Sequence, residues 1–172
     1  MRTPILYIFA GLPGSGKTTL SQMLSSHTRA LHLRIDTIEQ ALRDLCGLQV
    51  EGEGYRLAYR IAAENLGLGL SVVSDSCNPI ELTRREWEQV AQSQGANSVN
   101  IEVICSDVAE HMNRLEGRVS TIPGLVLPTW EEVLHREYDR WRRERIVIDT
   151  AGQAPEQSWA ELWTALQNHY TE

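Results

Sequence analysis

Nine consecutive residues carry the densest chemistry in this chain: Gly11-Leu12-Pro13-Gly14-Ser15-Gly16-Lys17-Thr18-Thr19. They fit G-x-x-x-x-G-K-[ST], the phosphate-binding P-loop, at every fixed position. Glycines at 11, 14 and 16 permit positive φ, so successive backbone N–H groups can turn inward around phosphate oxygens. The helix expected to start near Gly16 adds its N-terminal partial charge. Lys17 is placed to reach β and γ phosphates, and the Thr18 hydroxyl to ligate Mg²⁺. Lys17 is also the only lysine, against fifteen arginines. A compact ammonium is kept where one point charge must fit between phosphates.

The motif needs a strand before it and a helix after it, and both are legible. Ile5 to Ala10 is a short apolar run suited to a strand buried on both faces. Leu20, Met23 and Leu24 follow the loop at helical spacing. Further on, strand-like runs alternate with helical ones. Leu31, Leu33 and Ile35 predict a second strand ending at Asp36, followed by a helix with Ile38, Ala41, Leu42 and Leu45 on one face. A helix from about 55 to 68 turns Leu57, Ala58, Ile61, Ala62 and Leu66 inward. Leu70 to Asp75 predicts strand three, and Pro79 opens a helix to Gly95. Val99 to Cys105 is strand four, and Asp107 caps a helix to about Arg118.

The stretch 119–128 has two prolines, a glycine and no convincing period, and reads as a lid; with the arginines that lead into it, the lid spans about 114–128. Thr129 and Glu132 form a capping box that starts a charged helix to about Arg143. Arg145 to Thr150 is strand five, and Pro155 opens a last helix with Trp159, Leu162, Trp163 and Leu166 as its stripe. The expected fold is therefore one α/β domain over 1–172, with a mostly parallel five-stranded sheet covered on both faces. Ligands bind such sheets at the carboxyl ends of the strands.

Composition narrows the classes. The 172 residues are 42% hydrophobic with a net charge of −7, an ordinary globular balance that argues against broad nucleic-acid binding. Cys46, Cys77 and Cys105 are odd in number and lack CxxC spacing, which suggests a reducing cytoplasm. No apolar run reaches membrane-spanning length. A GTPase would read guanine through N-K-x-D, and no lysine exists beyond Lys17. An ABC-type ATPase would carry an LSGGQ-like signature, and a shikimate kinase-like site a Gly-Gly pair; neither string occurs.

The P-loop, Arg34-Ile35-Asp36-Thr37, Ser74-Asp75-Ser76-Cys77-Asn78-Pro79, Arg114 with Arg118, and Ile148-Asp149-Thr150-Ala151 occur in that order. Together they resemble the P-loop kinases whose relatives include chloramphenicol phosphotransferase, the polynucleotide kinase domain and zeta toxins. The resemblance implies a three-layer P-loop NTPase fold with a five-stranded parallel sheet of nucleoside-monophosphate-kinase type. It implies transfer of the ATP γ-phosphate to a hydroxyl of a small molecule, with Mg²⁺. On it, Asp36 faces the acceptor hydroxyl, Asp75 helps hold Mg²⁺, and Arg114 and Arg118 close over ATP.

Each assignment has a plainer competitor. Asp36 with Glu39 three residues on also reads as a helix-capping pair. Asp75 could close an Asx-turn, and Asn78 could cap the following helix. Arg114 and Arg118 could sit on a solvated face beside Glu110 and Glu116. Glu39 stands where relatives often carry arginine, which counts against an anionic substrate at that point. Two broader alternatives also stay open. One is a nucleotide-binding regulatory or toxin-like protein without efficient turnover; the other is a polynucleotide 5′-hydroxyl kinase.

Overall fold

The computed structural model describes residues 3–169. In chain order the elements are β1 (Ile5–Ala10), α1 (Lys17–Thr28), β2 (Leu31–Arg34), α2 (Ile35–Cys46), α3 (Glu53–Gly67), β3 (Val72–Asp75), α4 (Glu81–Ser93), β4 (Asn97–Ile104), α5 (Val108–Glu116), α6 (Trp130–Leu134), β5 (Ile146–Asp149) and α7 (Pro155–His169). The five strands form one sheet in the order β2-β3-β1-β4-β5. Every pairing is parallel. The chain crosses from one side of β1 to the other, so the carboxyl end of β1 lies at the point where ligands enter such sheets.

β1 explains the layers. Its side chains alternate, and both sets are buried. Tyr7 and Phe9 join Leu20 and Leu24 of α1 and Leu162 and Leu166 of α7 on one face. Leu6 and Ile8 join Ala58, Ala62 and Leu66 of α3 and Trp87 and Ala91 of α4 on the other. A strand with no polar position is what a sheet covered on both sides requires.

Several boundaries differ from the sequence reading. β2 ends at Arg34 rather than Asp36, because Ile35 is already helical and the strand passes into α2 with no loop. Asp36 therefore sits in the first turn of α2. Leu45 is 84% exposed and Leu57 39%; the amphipathic pattern overcounted the inward face of both helices. β3 begins at Val72, and α4 begins at Glu81, two residues after Pro79. α5 ends at Glu116, so Arg118 lies beyond the helix.

The largest difference follows Thr129. The capping box is present, with the Thr129 hydroxyl accepting from the Glu132 N–H. The helix nevertheless stops at Leu134, and residues 135–145 run as irregular chain. The cause is Arg84, which has no solvent exposure. Its guanidinium donates to the carbonyls of Asn78 (2.8 Å), Asp139 (3.0 Å) and Pro79 (3.0 Å). It also lies 3.9 Å from the Trp141 ring centroid. The Asp139 N–H donates to Pro79 (2.7 Å), and the Asp139 carboxylate accepts from the Glu81 N–H (2.8 Å). Arg143 pairs with Glu81 and Glu88, and Arg145 with Glu102. A charged surface helix is worth a few tenths of a kcal/mol per pair. A buried guanidinium with a donor left unpaired would cost more, and the irregular chain supplies that donor with the Asp139 carbonyl.

Arg84→Met should keep the aliphatic bulk and remove three hydrogen bonds, leaving the Asn78 and Asp139 carbonyls without that donor while Pro79 keeps the Asp139 N–H. With hydrogen bonds to charged groups worth about 1.5–3 kcal/mol each, urea unfolding should show a loss of at least ~3 kcal/mol. Limited proteolysis should cut first within 135–145. Stability within ~1 kcal/mol of the parent would show that Arg84 does not hold this segment.

Candidate active site

The P-loop turn is built by positive φ at Gly11, Gly14 and Gly16 (139°, 85° and 100°). At Gly11 a Cβ would also stand 2.1 Å from the Val103 carbonyl oxygen of β4. The loop's carbonyls are tied away from its centre. Leu12 O accepts from Ser15 N–H (3.2 Å) and from Lys17 Nζ (3.3 Å). Pro13 O meets His111 Nε2 at 2.8 Å, which makes that ring nitrogen the donor. Ser15 O accepts from the Thr150 hydroxyl (2.8 Å). Gly11 N–H donates to Cys77 O (3.1 Å), which fastens the start of the loop to the segment after β3. With its oxygens engaged, the loop offers the remaining N–H groups to an anion. The buried Ser15 hydroxyl oxygen has no partner and sits within this turn.

Of the supports behind the loop, His111 carries no signal in the sequence, and Asn78 reads there as a helix cap. His111 on α5 is 6% exposed, and its ring meets Trp130 of α6 edge-on at 5.1 Å. Asn78 neither caps a helix nor faces the cavity. It is fully buried with φ 43°, and its Nδ2 donates to Phe9 O at 2.6 Å. Its own N–H donates to the Tyr55 hydroxyl (3.2 Å), a phenol whose pKa burial pushes upward.

A cavity of about 520 Å³ opens beside the loop. Pro13, Lys17 and Thr18 line one end, and Asp36, Glu39, Gln40 and Arg43 of α2 line another side. Asp75, Ser76, Cys77, Arg118 and residues 124–128 also line it. Lys17, Thr18, Asp36, Asp75 and Arg118 therefore share one space. Two smaller cavities, about 270 and 280 Å³, adjoin the other side of the loop. Arg114 borders both of them together with Gly14, Gly16 and Thr19.

Asp36 is half exposed, with Oδ2 3.9 Å from Arg34 Nη2. The α2 N-cap is Arg34, and no side chain caps it, so Asp36 is not the predicted cap. Asp75 is 3% exposed, and its Oδ2 has no hydrogen-bond partner. Arg34 Nε stands 3.8 Å from that oxygen, close enough to offset its charge and too far to bond it, and His32 Nε2 stands 3.9 Å away. Burial holds the His32 imidazole below its ordinary pKa, with Asp75 opposing. Its Nε2 lies 2.9 Å from the Ser21 hydroxyl. An orphaned, buried carboxylate oxygen on the cavity that Thr18 also lines fits a hard cation such as Mg²⁺.

The two arginines differ. Arg114 pairs with Glu110 and donates to the Thr150 hydroxyl and carbonyl (2.8 Å each), so it also braces the loop after β5. Arg118 borders the large cavity and the 280 Å³ one, and makes no ion pair within 4.0 Å among the described residues.

Residues 6–143 match the model of the AAA domain family. No curated protein sequence matches the chain significantly. Solved structures resemble it over nearly its whole length. A candidate kinase from Chloroflexus aurantiacus is 24% identical, with TM-score 0.72, covering 96% of this chain and 98% of that one. The APS kinase of Mycobacterium tuberculosis, solved with AMPPNP and APS, is 15% identical, with TM-score 0.72 and coverage of 97% and 99%. A gluconokinase from Sinorhizobium meliloti is 16% identical, with TM-score 0.65 and coverage of 99% and 98%. The fold is that of P-loop kinases.

Burial raises the pKa of Glu39 above 4.5, and the neighbouring carboxylates of Asp36 and Glu53 add to this, while Arg43 opposes it. The folded state thus favours the protonated form. Its contribution to stability is full below pH 4.5 and is lost as pH rises through the folded-state value. Glu39→Gln should therefore melt higher than the parent at pH 7. The gap should close as the pH is lowered toward 4.5 and below. Equal melting temperatures across that range would show that Glu39 is not held in a desolvated position.

Proposed function

The chain belongs to the AAA domain family, and from that premise and the geometry of its cavity we propose that it is an ATP-dependent phosphotransferase. It would pass the γ-phosphoryl of ATP to a hydroxyl of a small molecule, with Mg²⁺, in a reducing cytoplasm. One observation carries the reading: the P-loop lysine and an α2 carboxylate, Asp36, open onto the same cavity of about 520 Å³. A protein that only senses nucleotide has no use for a carboxylate facing its phosphates from a separate wall.

In this reading the P-loop N–H groups and Lys17 hold the β and γ phosphates. The adenosine lies on the side of the two smaller cavities, where Arg114 fixes the loop after β5. Thr18 and Asp75 would hold Mg²⁺, which supplies positive charge against the phosphate oxygens. Asp36 receives the acceptor hydroxyl in a hydrogen bond, aims its oxygen at the phosphoryl group, and takes its proton late in a loose transition state. A free aspartate, with a reference pKa near 3.9, is too weak a base to ionise an alcohol beforehand, so orientation is its larger contribution. Arg118, with no ion pair to break, is available to the transferring group.

Two substitutions test this. Lys17→Ala should fold normally and lose most ATP affinity or turnover, measured by nucleotide titration and a phosphoryl-transfer assay; unchanged turnover would sink the reading. Asp36→Asn should keep ATP affinity within a few-fold and cut phosphoryl transfer by roughly 10²–10⁴, the span of general acid–base groups. Because Asp36 is not a cap, its loss should cost at most about 1 kcal/mol through the helix dipole. Transfer at the parental rate would remove Asp36 from the acceptor site.

A further inference from the structure

We infer that the acceptor is a hydroxyl compound without a phosphate or carboxylate of its own, and that Glu39 reads it by accepting a second hydrogen bond beside the one made to Asp36. The inference rests on the phosphotransferase reading and adds the substrate class.

The first observation is the way Glu39 is seated. Gly54 lies in the first turn of α3. A Cβ at Gly54 would stand 2.3 Å from Glu39 Cγ and 2.9 Å from its Oε1. Gly54 is not among the positive-φ glycines, so no backbone strain calls for it. Glycine in a helix costs about 1 kcal/mol against alanine. What the missing methyl provides is room for the Glu39 side chain, which lies against Gly54 with 22% of its surface exposed and borders the cavity.

The second observation is the balance of charge around it. The cavity has three arginines besides the P-loop lysine, and an anionic acceptor would need one of them. Arg43 is engaged on α2 itself, 3.5 Å from Glu39 Oε2 and 3.5 Å from Gln40 Oε1. Arg118 borders the P-loop cavity on the nucleotide side as well. Arg136 stands 3.8 Å from Cys77 Sγ and faces Glu132, whose pKa it helps to lower. Against these, Asp36 and Glu39 lie one helical turn apart on the same wall, with Glu53 behind them. Along α2 itself, Asp36 and Glu39 face the cavity with only Arg43, already engaged by Glu39 and Gln40, so an acceptor phosphate or carboxylate held against this helix meets net negative charge. A compound offering donors, whether hydroxyls or an ammonium, meets what those carboxylates lack.

The test is a matched panel assayed with labelled ATP: glucose, glucosamine and gluconate; adenosine and AMP; glycerol and glycerate. In the parent, the best neutral or amino member should exceed its acidic counterpart at least tenfold in kcat/KM. Whether glucose or glucosamine leads separates a hydroxyl from an ammonium as the second donor. Glu39→Gln should raise the acceptor KM by about 10- to 100-fold, the scale of one hydrogen bond to a charged group. The KM for ATP should stay within two-fold, and the preference over the acidic member should shrink. Gly54→Ala keeps the charge but displaces it, and should raise the same KM. An acidic member preferred by the parent, or a preference unmoved in both variants, overturns this inference and leaves the phosphotransferase reading standing. Intact ATP binding with no member of any class phosphorylated overturns both.

Discussion

A phosphate site made of backbone needs its carbonyls held elsewhere. Every peptide that offers an N–H to an anion also carries an oxygen that would repel it, and in this loop the oxygens of Leu12, Pro13 and Ser15 are each bonded to protein. Leu12 is held within the loop, by Ser15 and Lys17, and the partners of Pro13 and Ser15 come from far along the chain: His111 on α5 and Thr150 after β5. Cys77 fixes the loop's first N–H from the other side. The anion site is thus assembled by four separate segments that meet at the end of β1. Net hydrogen bonds are worth about 1 kcal/mol each, so no single tie is decisive. Their direction matters more than their sum, because they decide which face of the peptide the ligand meets.

That dependence explains what the sequence could tell. Lys17, Thr18 and the three loop glycines were legible because their spacing is local and each residue type has one main use there. The sheet was legible because β1 has no polar position and the strands are separated by helical periods. His111, Asn78 and Thr150 were not, since each acts through a contact more than thirty residues away. A lone histidine at a helical position carries no local sign that it will hold a proline carbonyl. Nothing in the string Ser74 to Pro79 reveals that Asn78 turns inward with positive φ to bind β1.

The segment after Leu134 shows how a tertiary demand overrides a sound local pattern. Alternating charges and a true capping box favour a helix through Arg143, and by propensity alone that is a fair reading. Arg84 changes the outcome. It is buried under the segment without a carboxylate at bonding distance, and one of its three acceptors, the Asp139 carbonyl, is an oxygen that a continuing helix would keep for itself. Trp141 then covers the guanidinium face, and Tyr138 sends its hydroxyl to Glu102 at 3.0 Å. The same clamp takes up the carbonyls of Asn78 and Pro79, which border the residues that fix the P-loop. The irregular segment is therefore tied to the site it lies outside.

The junction of β2 and α2 carries the remaining constraint. Because Arg34 ends the strand and Ile35 begins the helix, no loop separates the sheet from the helix that carries Asp36 and Glu39. Arg34 stands within 4.0 Å of both Asp36 and Asp75 and donates to the Thr121 hydroxyl at 3.0 Å. One guanidinium thus stands beside Asp36, Asp75 and the segment that carries Thr121. Two carboxylates on one cavity repel each other, and a cation beside both offsets that repulsion. Asp36 gains further from the first turn of α2, where the helix dipole favours negative charge by about 0.3–1 kcal/mol. Rigid placement is the property an in-line transfer needs, since a misplacement of about 1 Å can cost a hundredfold in rate. A loop in place of this junction would leave the residue types intact and lose the geometry that gives them their use.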